Sequence, residues 1–174
     1  MKKIILLFLS ILLVTFYGCN KKDVDPVHYS YSIALTFENQ SGDNLVTGIP
    51  YSEKEQRIPY SEYTRTAWAE NGIELLTAEL QTIKDENGED AILLDGMTWE
   101  HVSPIITQKL VCPYIFGDNN EHVLVSYWEE LPDSKHTCTG FTLDGKEYPI
   151  VKEGVLEYKD GIGGDLYKVK IVLE

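Results

Sequence analysis

Polar and apolar residues alternate strictly in the stretch that begins at Tyr29. Tyr29, Tyr31, Ile33, Leu35 and Phe37 take every second position, against Ser30, Ser32, Ala34, Thr36 and Glu38. A period of two sends successive side chains to opposite faces and predicts a strand with one buried face. The pattern returns over residues 73–83, 91–94, 105–115, 122–129, 137–143, 146–151 and 166–173. In the last of these Tyr167, Val169, Ile171 and Leu173 oppose Lys168 and Lys170. The stretches between them carry turn chemistry: Asp85-Glu-Asn-Gly88, Asp95-Gly96, Gly117-Asp-Asn-Asn120, Asp144-Gly145 and Asp160-Gly-Ile-Gly-Gly164. Asp-Gly supplies the left-handed backbone that a two-residue hairpin needs, so 144–145 is the sharpest hairpin signal. Short strands at this rhythm, with no long helices between them, predict an all-β fold: an antiparallel β-sandwich of about seven to nine strands over residues 28–174.

Residues 51–72 break the rhythm. The stretch is polar, longer than an ordinary connection in a compact domain, and includes Tyr51, Tyr60, Tyr63 and Trp68. The pentapeptide IPYSE occurs at 49–53 and again at 58–62, but two copies cannot stack into a solenoid. Ser61 as a cap and Gly72 as a stop predict a short helix over 61–71. Exposed aromatic rings stack on sugars or dock peptides at low ordering cost. Tyr60, Tyr63 and Trp68, with Trp99 beyond the Asp95-Gly96 turn, are therefore the candidate ligand-binding residues. The strand aromatics Tyr31, Phe37, Tyr127 and Tyr167 are expected in the core.

Ahead of the first alternation, Lys2 and Lys3 precede an apolar run over 4–17 and then Gly18-Cys19, the order of a secretory signal. The run falls short of the about 20 residues of a bilayer span. A cysteine directly after a small residue resembles a bacterial lipoprotein signal. That resemblance implies removal of residues 1–18, a lipid on Cys19 and a tether over 19–27; the other reading is a plain secretory signal that happens to contain a cysteine. The eight residues 20–27 reach at most about 28 Å.

Without the signal the chain has 13 basic and 28 acidic residues, a net charge of 13 − 28 = −15. Such a field repels phosphate backbones and argues against nucleic acid as a partner. Cys112 and Cys138 remain as an even pair in an oxidising compartment, which predicts a disulfide worth roughly 3 to 4 kcal/mol; two buried thiols are the other reading. His136 and Cys138 on one strand face, with Cys112 and His122 upstream, match no compact zinc spacing, so no metal and no cofactor is expected. Gly161–Gly164 leads into a strand and not a helix, unlike a dinucleotide loop. The neighbouring carboxylates Glu129-Glu130 and Glu89-Asp90 would point to opposite faces of a strand, unlike a glycosidase pair. No catalytic residue is assigned.

The relaxed signal, Glu38-Asn-Gln-Ser-Gly-Asp-Asn-Leu45, Leu110-Val-Cys-Pro-Tyr-Ile-Phe-Gly-Asp118 with His122 beyond it, and Phe141-Thr-Leu-Asp-Gly-Lys-Glu-Tyr148 resemble small Bacteroidota cell-envelope lipoproteins. The resemblance implies an immunoglobulin-like or prealbumin-like sandwich on a lipid tether, and brings no catalytic residue with it. Lys21-Lys22-Asp23 resembles the charged export tag of such proteins, which implies an outer-membrane address with the leaflet left open. The expected role is a non-enzymatic binding or assembly module for a glycan, a peptide or an envelope partner; a hydrolase with a site assembled from distant residues and a purely structural lipoprotein are the alternatives.

Overall fold

A computed structural model describes residues 28–75, 77, 79–99, 102–132, 135–157 and 163–174. The signal 1–18, Cys19 and the rest of the tether lie outside the described residues, as does His101. Among those residues the chain forms twelve strands: β1 (His28–Ser30), β2 (Ser32–Glu38), β3 (Thr64–Ala69), β4 (Gln81–Lys84), β5 (Asp90–Leu94), β6 (Met97–Trp99), β7 (Ile105–Val111), β8 (His122–Leu131), β9 (Lys135–Leu143), β10 (Lys146–Tyr148), β11 (Ile150–Glu157) and β12 (Gly163–Val172). A single turn of helix, α1 (Pro113–Phe116), follows β7. Two five-stranded sheets, ordered β11-β12-β2-β5-β4 and β10-β9-β8-β7-β3, face each other, and β1 pairs with β6 as a separate ribbon. Pairing is antiparallel except where β12 runs parallel to β2.

The inner faces share one core. Ile33, Leu35, Phe37, Ile92, Leu94, Val169 and Ile171 come from one sheet, and Ile106, Leu110, Leu124, Phe141 and Leu143 from the other. At one edge Arg65 of β3 bridges the layers. Its guanidinium lies 3.2 Å from the Asp95 carboxylate beyond β5 and donates to Gln108 of β7 at 2.8 Å. Central β2 is buried on both faces, Ser32, Ala34 and Thr36 included. The β4–β5 turn folds over its outer side: Asp85 pairs with Lys168 of β12, and the Glu86 N–H donates to Glu153 of β11.

The Asp144-Gly145 hairpin forms as expected, with φ of 50° and 81°. Elsewhere the expected elements split. Strand 105–115 stops at Val111 because Pro113, without an N–H, opens α1. Strand 146–151 breaks at Pro149, where the chain leaves one sheet as β10 and enters the other as β11. Among the described residues of 73–83, the strand is confined to the part of β4 from 81 onwards, with an isolated bridge between Glu74 and Trp68.

The helix expected over 61–71 is instead β3. Its threonines suit an extended chain, and six cross-strand partners on β7 outweigh the capping signal of Ser61. The irregular connection is thus 39–63, and it covers one end of the core with Val46, Ile49 and Ile58; both IPYSE copies serve to bury their isoleucines.

The expected Cys112–Cys138 disulfide is not present: both are free, buried thiols. Cys138 pairs with Trp128, whose N–H donates to the Pro104 carbonyl. Cys112 lies 112 − 104 = 8 residues further along β7, or about 26 Å at 3.3 Å per residue, far beyond the about 7 Å that a bridge permits. The two cysteines sit at opposite poles of the sandwich.

Candidate binding surfaces

The four candidate aromatics do not form one platform. Period two along β3 and its lead-in sends Tyr63 inward and Trp68 outward. Tyr63 is buried, and its hydroxyl accepts the Leu80 N–H at 3.0 Å. Tyr60 is exposed, lies 5.9 Å from Tyr63 and carries the Arg57 guanidinium 3.7 Å from its ring centre. Trp68 is half-buried on the outer face of its sheet, with the Lys109 ammonium 5.7 Å from the ring. Trp99 is 50% exposed at the opposite end of the ribbon from the core, edge-on to His28 at 5.6 Å. Of the four, only Tyr60 and Tyr63 meet ring to ring among the described residues.

The outer face that holds Trp68 also holds Tyr127. Pairing aligns Trp68, Thr107, Val125, Thr142 and Glu147 in one row across five strands, and Ile105, Tyr127 and Gly140 in the next. Tyr127, expected in the core, is 40% exposed, because its neighbour Trp128 takes the inward position and adjacent strand residues cannot share a face. A Cβ on Gly140 would come within 3.2 Å of the Tyr127 ring, so the ring lies against bare backbone and is held in place. Beside it opens a depression of about 660 Å³, lined by Tyr127, Thr139, Thr142, Glu147 and Tyr148 among others. Two strand spacings and two residues separate Trp68 from Tyr127, roughly 12 Å. Glu147 is the charged member of these rows; Lys109 lies in the adjoining row, between Thr66 and Val123, and is paired with Glu121 at 2.6 Å. An isolated glycine within a strand pattern was the available signal for this pair.

A second concavity, about 420 Å³, lies at the pole where the chain enters the domain. Ala69, Ile73, Leu75, Met97, Trp99 and Val102 form its apolar walls, and Glu70, Asn71 and Glu74 stand on its rim.

Among the described residues, His122, His136, Cys112 and Cys138 lie away from both concave surfaces or in the packed interior. The ring nitrogens of His122 lie 2.7 Å from Asp144 and 3.2 Å from Asp118, and the ring stacks on Phe116 at 3.7 Å. Asp144 also accepts the Val123 N–H, so the cluster braces the β9–β10 turn. Hydrogen bonds from the Asn120 N–H and from His122 hold the Asp118 carboxyl below the usual carboxylate range. His136 is packed among Tyr31, Trp128 and Tyr29, and its Nε2–H donates to the Ser30 carbonyl at 2.7 Å. Burial pushes the Cys138 thiol up to about 12 and raises Cys112 as well, which removes the thiolate a nucleophile requires. Among the described residues no three His, Cys, Asp or Glu side chains are grouped to hold a metal, and no helix is long and apolar enough to cross a membrane.

No family model matches the chain, and no curated protein or solved structure matches it.

Proposed function

We propose that this protein is a lipid-anchored, non-enzymatic binding module of the cell envelope, with an outer-membrane address, and that it takes a neutral glycan on the face that carries Trp68 and Tyr127. The observation that carries the reading is the chemistry of that face. A quarter of the residues in the chain are charged, yet these rows join two partly exposed aromatic rings to Thr107, Thr142, Val125 and Ile105. Rings fixed on a rigid sheet offer stacking surface without ordering cost, and hydroxyls with one carboxylate match the hydroxyls of a sugar. An acidic polymer would meet the net negative field of the domain.

Calorimetry against neutral and acidic oligosaccharides tests the ligand. Trp68→Ala or Tyr127→Ala is expected to weaken binding of a neutral glycan by about 2 kcal/mol, roughly thirty-fold, with a melting temperature within a few degrees of the parent. Equal binding by both variants, or a preference for acidic chains, refutes the assignment. Anchoring is tested separately: Cys19→Ser is expected to move the protein from the membrane fraction to the soluble one, and a variant that still needs detergent overturns the lipid.

A further inference from the structure

The first described residue, His28, packs on Trp99, and Trp99 walls the apolar concavity. Residues 1–27 therefore lead into the domain beside an apolar opening. Trp99 and Ile73 stand out from this rim, 50% and 61% exposed. Both are held by backbone pairing. Trp99 lies in the β1–β6 ribbon opposite His28, and Ile73 follows a turn in which its carbonyl accepts the Ala69 N–H at 2.9 Å. An isolated exposed aromatic is ordinary. Here an indole, an isoleucine and an apolar hollow are grouped at the pole from which the anchor departs.

We infer that this pole is a membrane seat, with Trp99 and Ile73 dipping into the headgroup region of the bilayer that holds the anchor. The inference rests on the proposed lipid at Cys19. Eight residues separate that cysteine from His28, with a reach of at most about 28 Å, so the pole cannot move far from the bilayer surface. Such a tether gives the seat an effective concentration of order millimolar, and a contact too weak to hold a free domain is then well populated. Indole suits the site because its ring is apolar and its N–H remains able to bond to headgroups. Glu70 and Glu74 on the rim, in a strongly acidic protein, select a zwitterionic surface over an anionic one. Seated in this way, the domain presents the Trp68–Tyr127 face sideways, with Trp68, bridged to Glu74, at the end of that face nearer the seat.

The test uses the full, processed chain in phosphatidylcholine vesicles with brominated acyl chains, which quench only tryptophans in contact with them. Trp128 lies in the core and Trp68 on the outer sheet face. Quenching is therefore expected to remove about one third of the emission, the share of one tryptophan among three. Trp99→Phe should abolish it, Ile73→Ser should reduce it at least twofold, and Trp68→Phe should leave it in place. Absence of quenching in protein that floats with the vesicles and carries lipid on Cys19 by mass spectrometry overturns the seat and leaves the anchor standing. No lipid on Cys19 and no flotation overturns both. Quenching that survives Trp99→Phe, or a Trp99 signal that depends on protein concentration and not on brominated lipid, places the contact elsewhere or assigns the hollow to a second copy, and either result overturns the inference. Thermal melts of the Trp99 and Ile73 variants establish that each remains folded.

Discussion

Replacement of Lys168 by methionine is expected to be among the costliest single changes on the outside of this sandwich. Lys168 crosses the outer face of its sheet to Asp85, whose side chain has no exposed surface, while its own is 15% exposed. The other Asp85 oxygen accepts the N–H groups of Asn87 and Glu89 at 2.9 and 2.8 Å. Methionine keeps most of the apolar stem and deletes the charge, which leaves a buried carboxylate with backbone donors alone. Loss of one partner from a buried pair costs roughly 3 to 5 kcal/mol. The two backbone bonds and the partial exposure of Lys168 argue for the lower end, about 3 kcal/mol, or a fall in melting temperature of about 10 °C in a domain of this size. Asp85→Asn should cost less, because Lys168 can turn to water, and the double variant should be at least about 1 kcal/mol more stable than the sum of the single effects.

The pair also predicts a pH response. Burial opposes the charge on Asp85, but Lys168 and the backbone donors outweigh it, so its folded pKa is lowered. Its contribution is present above the unfolded value of about 3.9 and is lost as pH falls through the folded one. Burial also opposes the charge on Lys168, but Asp85 outweighs it and its pKa is raised. That contribution is complete below about 10.4 and is lost as pH rises through the folded value. Urea melts of the parent, both single variants and the double at pH 3, 7 and about 11 measure these terms. A Lys168→Met variant within about 1 kcal/mol of the parent at pH 7, or strictly additive single effects, refutes the reasoning.

Both thiols should be inert in the folded protein: at pH 8 iodoacetamide is expected to modify neither Cys112 nor Cys138 until denaturant is added, and a reducing agent should not change the melting temperature. Rapid native alkylation would contradict their burial, and a fall in stability on reduction would restore the disulfide. His136 has its pKa lowered by burial, against opposing contributions from the Ser30 carbonyl and Asp165. The folded state therefore takes up its proton later than the unfolded chain does. Stability is complete above about 6.5 and is lost as pH falls through the folded value, a loss that His136→Gln should reduce. An unshifted imidazole titration by NMR would refute this.

The period of two in residues 29–38 and 166–173 and the Asp144-Gly145 turn made the all-β class, the alternating core and one hairpin legible without coordinates, because strand dihedrals and turn preferences act between residues adjacent in the chain. The aromatics did not follow composition in where they lie: Tyr60 and Trp99 are exposed and Trp68 is on an outer face, while Tyr63 went inside and Tyr127 came out. What the chain could not announce depends on partners remote in sequence. Thr64–Ala69 is a strand because Ile105–Val111 lies beside it, and the three-residue strands β1 and β6 exist because each supplies the other's hydrogen bonds. Cys112 and Cys138 are a plausible pair on composition, yet strand register sets them at opposite poles. Tyr127 is fixed on Gly140, and His28 on Trp99, by the same kind of register. Such contacts draw their free energy from which strands become neighbours, and that outcome is decided by burial of the whole core at once, not by any local preference.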